Sequence, residues 1–532
     1  MPKRPFKTVL TAFTLAALSA CSLVKYQPVA TINKIDMNQG YRFETSQFQR
    51  EEDDTFIILM LSGGGTRAAA LGYGVLEQLQ QQKVTIGGKS KSLMSNVDLV
   101  VGVSGGSVLA AYFALKGEET IPMFYKRFLH QNFQRQVVKQ AFSMTNLPRL
   151  ASPEYGRGDL LQEQFENHLF GKTTFRDLEM HGKGPFAIIS ATDMGAGERL
   201  NFTQEYFDPM CLDLGGLRLA RAVAASSAVP MVFSPITLNN NGGNCGYALP
   251  LQLQMTGLES QKQQNATYQE FKNRFNKYSD SKTRPYIHLI DGGLTDNLGM
   301  RSLLDMTEIY PDKVLEQQIR SRNLRHIVVI SVNAQNQISS NMDKTAAVPG
   351  FRDVVTAIVN IPIDQYTQES LRRFRAFVDQ RNEASQQSGN GISFSFVSLN
   401  LKDLPPSALR DKVLNIPTSF YLPPEDVDNL RTAAAELMKQ SQDYQKLLHE
   451  FAAHPNPETI FAEPPPPDPK DGKAAKKQNK PEHKHTHPCF TDPPTRAYNH
   501  VRYLSSPENK NLPPPGANQH PHSDKTKILY SP

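Results

Sequence analysis

Three short motifs hold the residues that could do chemistry. The first, Gly102-Val103-Ser104-Gly105-Gly106, sets a serine among glycines. A serine hydroxyl becomes a nucleophile when a neighbouring base takes its proton, and the glycines Gly102 and Gly106 let the chain turn and a substrate approach. The second, Ser62-Gly63-Gly64-Gly65-Thr66-Arg67, puts three glycines before an arginine. Backbone N–H groups stand bare in such a loop and can cradle a phosphate or a tetrahedral oxyanion. It lacks the Gly-Lys-Ser/Thr of a nucleoside-triphosphate loop, and Ala68 takes the place of the last glycine of a dinucleotide fingerprint. In the third, Asp291-Gly292-Gly293, the carboxylate either faces a shared cleft or caps the next helix.

Each motif needs an element to aim it. Apolar runs over 55–61 and 97–103 lead into the glycine loop and the serine motif and read as buried strands, and 286–290, just before Asp291, is a further strand candidate. Two more strand candidates lie at 185–191 and 326–332. Helical spacing follows at 66–82 and after Ser104. Strands alternating with helices predict an α/β fold, a mainly parallel sheet between two helical layers. In such sheets ligands bind beyond the carboxyl ends of the strands. Residues 121–180 read as helices broken by Pro148 and Pro153. Residues 236–284 read as a polar insertion with one helix near 258–276. Polar helices are predicted at 364–386 and 425–452, and an alternating strand at 392–401.

Taken together, the three motifs resemble the patatin-like phospholipase family, with its Gly-rich loop and arginine, its G-x-S-x-G and its D-G-G/A. Ala225-Ser226-Ser227-Ala228-Val229-Pro230, with Phe233 and Pro235, adds to the likeness, as does the continuation Leu294-Thr295-Asp296-Asn297. Ser62 stands where many members have aspartate. The resemblance implies a three-layer patatin-like fold and a Ser–Asp dyad. Ser104 would be the nucleophile and Asp291 the general base, with Gly63, Gly64, Gly65 and Arg67 around the oxyanion. Gly292 and Gly293 complete the motif. The implied activity is hydrolysis of carboxylic esters in phospholipids or related lipids, through an acyl-enzyme and with no cofactor or metal.

Other readings remain at this stage. The same fold could serve as a non-catalytic envelope binding module. A histidine could complete a triad. His326 fits the chain order of the α/β-hydrolases, whereas His288 lies on the opposite strand face from Asp291. Ser226 and Ser227 are nucleophiles by type only, and close packing is the expected role. Cys211 and Cys245 could pair in an oxidising compartment or stay as thiols.

The chain ends carry an address and a tail. Lys3, Arg4 and Lys7, a short apolar stretch, then Leu18-Ser19-Ala20-Cys21 describe a signal peptide over 1–20. The last four residues resemble a bacterial lipobox, which implies lipidation at Cys21 and a tether over 21–50. Ser22 after the cysteine favours the outer membrane of a bacterial envelope over the inner. Membrane lipid would then be both anchor and substrate, and protein partners stay open. The core is expected at 51–335 and a helix-rich extension with at least one strand at 336–463. Residues 464–532 hold 15 of the 37 prolines and 6 of the 13 histidines, with no periodicity. That composition predicts a disordered tail. His483, His485 and His487 beside Cys489 could bind metal or simply lie in a solvated linker.

The whole chain carries 58 Lys and Arg against 52 Asp and Glu, a net +6. The signal region holds +3 of this and the tail +5, leaving 21–463 at −2. A near-neutral body argues against a nucleic-acid-binding face. Four cysteines in 532 residues exclude a disulfide scaffold.

Overall fold

The structure is a computed structural model that describes residues 24–43, 54–248, 266–309, 319, 321–336, 344, 346–389 and 391–453. The predicted signal peptide, Cys21 and the whole tail, with its His483–Cys489 cluster, lie outside the described residues. Strands β1 (Thr55–Leu61), β4 (Val97–Val103), β5 (Phe186–Asp193), β9 (His326–Asn333) and β10 (Ser393–Asn400) run parallel as β10-β9-β1-β4-β5. All seven residues of β1 are buried. It has a strand on each side and helices on both faces, so no position faces water. A short hairpin, β2 (Lys83–Ile86) with β3 (Lys89–Ser92), stands apart from this sheet.

At the other end the sheet reverses. Strand β8 (Tyr286–Ile290) pairs antiparallel with β5, and only at its tip: Ile290 lies opposite Thr192 and Leu289 opposite Asp193. Strand β7 (Ile236–Asn239) pairs antiparallel with β8, and β6 (Glu198–Asn201) antiparallel with β5. The strand expected at 286–290 is present, and it is one of the antiparallel members of the mainly parallel sheet. The clue lay in its pattern. Tyr286 and His288 are exposed while Ile287 and Leu289 are buried, the alternation of a one-face strand rather than of a central parallel one. Direction matters here, because β8 runs back toward the carboxyl ends of β4 and β5 and delivers its last residues there.

Helix α1 (Gly65–Gln81) follows β1, and α2 (Gly105–Lys116) follows β4. Helix α3 (Leu219–Ser226) packs against α2 and β5. The one-turn α4 (Gly293–Asp296) follows β8. Helix α5 (Phe351–Ser388) is 38 residues long and continues through Pro362, whereas the sequence placed its start at 364. A proline forfeits one backbone hydrogen bond and usually kinks a helix, which is why that start was misplaced. Helices α6 (Pro424–Gln440) and α7 (Gln442–Ala453) divide the single helix expected at 425–452. In the polar insertion the helix begins at Ala266, and residues 249–265 lie outside the described set.

Two predicted boundaries dissolve in the packing. The region expected as an extension supplies β10 to the central sheet and α6 to the face of α1. There Gly74 leaves no room for a side chain, since a Cβ would stand 2.8 Å from both Ala434 Cβ and Arg431 Cα. Arg431 also holds Glu77 at 2.7 Å. Likewise, residues 24–43 of the expected tether lie on the body. Tyr41 is buried and stacks on Phe186 at 4.3 Å, and its hydroxyl donates to the Ala187 carbonyl. Arg42 pairs with Asp208, both nearly solvent-free. A buried aromatic of this size contributes about 1.5–3 kcal/mol, so this stretch belongs to the folded unit.

Candidate active site

Register brings the three motifs to one place. Leu61 lies opposite Gly102 on one side and Val332 on the other, so β1, β4 and β9 end level. The loop after β1 and the turn after β4 emerge side by side. Ser104 sits in that turn with φ 50° and ψ −122°, a conformation that costs a non-glycine residue about 1–3 kcal/mol. The surroundings hold it there. Its N–H donates to Ser226 Oγ at 2.8 Å, and Ser226 Oγ donates to the Ser190 carbonyl at 2.6 Å. The Ser107 hydroxyl donates to the Ser104 carbonyl at 2.6 Å. Gly106 is required by approach, because a Cβ would sit 2.3 Å from the Leu61 carbonyl oxygen. Gly102 is pressed in the same way against Ser107 Cα and Ala110.

The Ser104 hydroxyl donates to Asp291 Oδ2 at 2.6 Å. Both side chains are buried. Asp291 arrives from the far side on β8, and its backbone N–H donates to the Ala228 carbonyl at 3.0 Å. The Gly293 N–H donates to Asp291 Oδ1 at 2.8 Å, so both carboxylate oxygens have partners. Gly292 passes so close to Ser190 that a Cβ would stand 2.2 Å from its carbonyl oxygen. Burial raises the Asp291 carboxyl to about 6, and the bonds from Ser104 and Gly293 limit the rise. A carboxylate poised near neutrality and bonded to a serine hydroxyl can serve as a proton acceptor.

No histidine bonds to either group among the described residues. His326 stands at the start of β9, at the opposite edge of the sheet, and its Nδ1 lies 2.7 Å from Ser393 Oγ. His288 lies 3.1 Å from Thr237 Oγ1 on the strand's exposed face. The geometry assembles neither histidine triad.

The glycine loop divides its donors. Gly63 lies directly beside Ser104, with a notional Cβ 3.4 Å from Ser104 Cβ. Its N–H, however, is already committed to the Asn297 carbonyl at 3.0 Å. Arg67 is buried. Its Nε donates to the Ala334 carbonyl at 2.7 Å and its Nη1 to the Ile416 carbonyl at 2.8 Å. Burial without a carboxylate partner pulls the Arg67 guanidinium down to about 10. The Gly63 N–H and two of the Arg67 nitrogens, expected around the oxyanion, thus serve backbone carbonyls, while Arg67 Nη2 lies beside Gly64, 3.1 Å from where a Cβ would stand. The N–H groups of Gly64, Gly65 and Gly105 form no hydrogen bond among the described residues, and the last two begin helices, where such groups are left over.

Residues 59–304 match the patatin-like phospholipase family. That segment runs from β1 through the serine turn and Asp291 into the helix at 301–309. The patatin-like fold extends beyond it, since β9 and β10 complete the sheet. No curated protein sequence matches the chain. Among solved structures, human GIVD cytosolic phospholipase A2 shares 12% identity over 77% of this chain, with a TM-score of 0.41. The match spans 64% of that enzyme's length. VipD from Legionella pneumophila shares 12% identity over 81% of this chain and 73% of its own, with a TM-score of 0.27.

Some of the site was missed in the sequence. Ser226 holds the Ser104 N–H, a role that its place in the Ala225–Pro230 stretch did not reveal. Asn297 bridges the motifs: its carbonyl holds Gly63, and a Cβ on either Gly63 or Gly293 would run into its Oδ1 at 2.5 and 3.0 Å. Its place in the stretch after Asp291 was the only available signal. Cys211 and Cys245 are joined in a disulfide. Among the described residues no group of three or more His, Cys, Asp or Glu could hold a metal ion.

Proposed function

We propose that the protein is a serine acyl hydrolase of lipid esters that works through a Ser104–Asp291 dyad. The observation that carries this is the 2.6 Å hydrogen bond from the Ser104 hydroxyl to a buried carboxylate whose proton affinity is raised to about 6. Asp291 takes the hydroxyl proton as Ser104 Oγ attacks the ester carbonyl carbon. The carbonyl oxygen becomes an oxyanion, and the N–H groups of Gly64, Gly65 and Gly105 are the donors left to hold it. One such donor contributes about 3–4 kcal/mol in other hydrolases. The positive end of α2 adds to the field on the serine side. Collapse expels the alcohol, which takes its proton from Asp291 and leaves an acyl group on Ser104. Water, deprotonated by the same carboxylate, then releases the acid.

Lipid as the substrate class is supported by the family match over 59–304. The lipobox-like Leu18-Ser19-Ala20-Cys21 supports an anchor in a bacterial envelope membrane, which would hold the enzyme at its substrate. The reading is tested by following fatty acid release from phospholipid in mixed micelles. Wild-type protein is expected to release acid, and Ser104→Ala, folded to the same melting temperature, to release none. Equal turnover by the two proteins would refute it.

A further inference from the structure

The dyad is nearly closed to solvent. Ser104 is 3% exposed and Asp291 9%, so an ester reaches them only where neighbouring chain gives way. One flank is the loop 415–423, between the helix at 408–414 and α6. Its Ser419 carbonyl accepts the Thr66 N–H at 2.7 Å, and a Cβ on Gly65 would stand 2.5 Å from that oxygen. Gly65 in turn presses on Gly105, the residue after Ser104: a Cβ there would stand 1.9 Å from the Gly65 carbonyl oxygen. The Ile416 carbonyl takes Arg67 Nη1, and the Ser419 hydroxyl donates to Gln134 Oε1 at 2.7 Å. The loop therefore rests directly on the glycine loop, and it lies beyond the matched residues 59–304.

The other flank is the turn over 228–235. The Ala228 carbonyl holds the Asp291 N–H at 3.0 Å, and the Val229 carbonyl accepts the N–H groups of Val232 and Phe233. The two flanks meet in an aromatic pair. Phe233 and Phe420 stand edge to face, with ring centroids 5.3 Å apart and planes at 88°. Both rings are nearly buried, whereas Met231 and Val232 beside Phe233 are 61% and 50% exposed. Among the described residues no hydrogen bond joins the two loops. Separating the rings strands no polar group, whereas each loop is bonded to its own side of the site.

We infer that the acyl chain of the substrate enters between Phe233 and Phe420 and lies against both rings, which makes them the residues that select for acyl length. An acyl chain as occupant rests on the lipid-ester reading above. Two features favour it over a head group. The rings offer no hydrogen-bond donor or acceptor, so a charged or hydroxylated group would lose its water there and gain no partner. An alkyl chain loses nothing and buries apolar surface. Met231 and Val232 also carry the apolar surface on from the rings to solvent. The loop at 415–423 thus belongs to the active site, one flank of its acyl slot.

The chain has no tryptophan, so a single one reports its own surroundings. Phe420→Trp and Phe233→Trp are made separately in the full-length chain with Ser104→Ala, so that no step depends on catalysis. Each is titrated with a stearate brominated at mid-chain, kept below its micelle concentration. Bromine quenches an indole only at close range, and both variants are expected to lose most of their emission. Lys439→Trp in the same background, on the exposed end of α6, is expected to keep its emission. Quenching at neither ring position, in proteins that keep the parent melting temperature, would overturn the inference, and so would equal quenching at position 439. In the active chain, Phe420→Ala is expected to lower kcat/KM for p-nitrophenyl palmitate at least about tenfold more than for p-nitrophenyl butyrate. An equal fall on both esters would make Phe420 a packing residue and overturn its part in selection. Wild-type protein that hydrolyses neither ester would refute the hydrolase reading, while the quenching, which needs no turnover, still decides where an alkyl chain lies.

Discussion

The Ser104 hydroxyl reaches Asp291 Oδ2 directly, at 2.6 Å, with no histidine between them. The two residues come from strands of opposite direction, β4 leaving the sheet and β8 returning to it. A carboxylate normally titrates too low to deprotonate a serine usefully. Burial at the meeting point of the two strands lifts it, and the Gly293 N–H keeps it oriented. The proposed base is thus made by the topology as much as by the residue.

Activity is expected to rise with pH through a limb near 6. Asp291 must be ionised to accept the proton, and burial raises its carboxyl to about 6. The limb should appear in kcat/KM, which reports the free enzyme. A limb near 4 instead, from a stopped-flow or pH-stat profile, would mean that Asp291 is not the group titrating.

The same shift has a stability consequence. The unfolded carboxyl titrates near 3.8, and the folded one holds its proton up to about 6. Below about pH 4 the group is protonated in both states and costs nothing. Above pH 6 the fold carries a buried charge at a cost of about 3 kcal/mol. Asp291→Asn should therefore melt higher than wild type at pH 8, and the gap should close near pH 4. Equal melting temperatures at pH 8 would contradict the burial argument.

Most of the sheet could be read from the sequence, because buried parallel strands are continuous apolar runs. β1, β4 and β9 all stood out in this way, and so did the motif glycines. What the sequence could not convey was direction and long-range partnership. The alternation in residues 286–290 hints at a one-face strand, but it does not say which strand lies beside it. Arg67 looked like an anion ligand because it follows three glycines, but its partners, Ala334 and Ile416, lie some 270 and 350 residues further on. Ser226 was judged a packing residue because an alanine-rich helix gives no hint that its end faces a strained turn. The start of α5 was hidden by Pro362, a residue that usually marks an end.

Ser226→Ala is expected to loosen the nucleophile. It leaves the Ser104 N–H and the Ser190 carbonyl without their partner in a buried place, at a cost of about 1–3 kcal/mol to stability. If about 1.4 kcal/mol of that positioning reaches the transition state, kcat falls about tenfold while KM stays. Steady-state kinetics decide the point. Unchanged kcat in a protein with lowered stability would make Ser226 a packing residue only.

Arg67→Met should act on folding. It frees two buried carbonyls, and it also removes a buried charge, which offsets part of the loss. A net destabilisation of about 2 kcal/mol is expected, measured by urea titration, with serine reactivity kept in the folded fraction. A stable Arg67→Met protein that has lost turnover would return Arg67 to the oxyanion role that its place in the loop implied.

The central claim is that Ser104 is activated by Asp291. It is tested most directly by a fluorescent fluorophosphonate applied to the full-length protein, followed by peptide mapping. The account predicts label on Ser104, labelling at least about a thousandfold slower in Asp291→Asn, and none in Ser104→Ala. Label elsewhere, or equally fast label on Ser104 in Asp291→Asn, would contradict it.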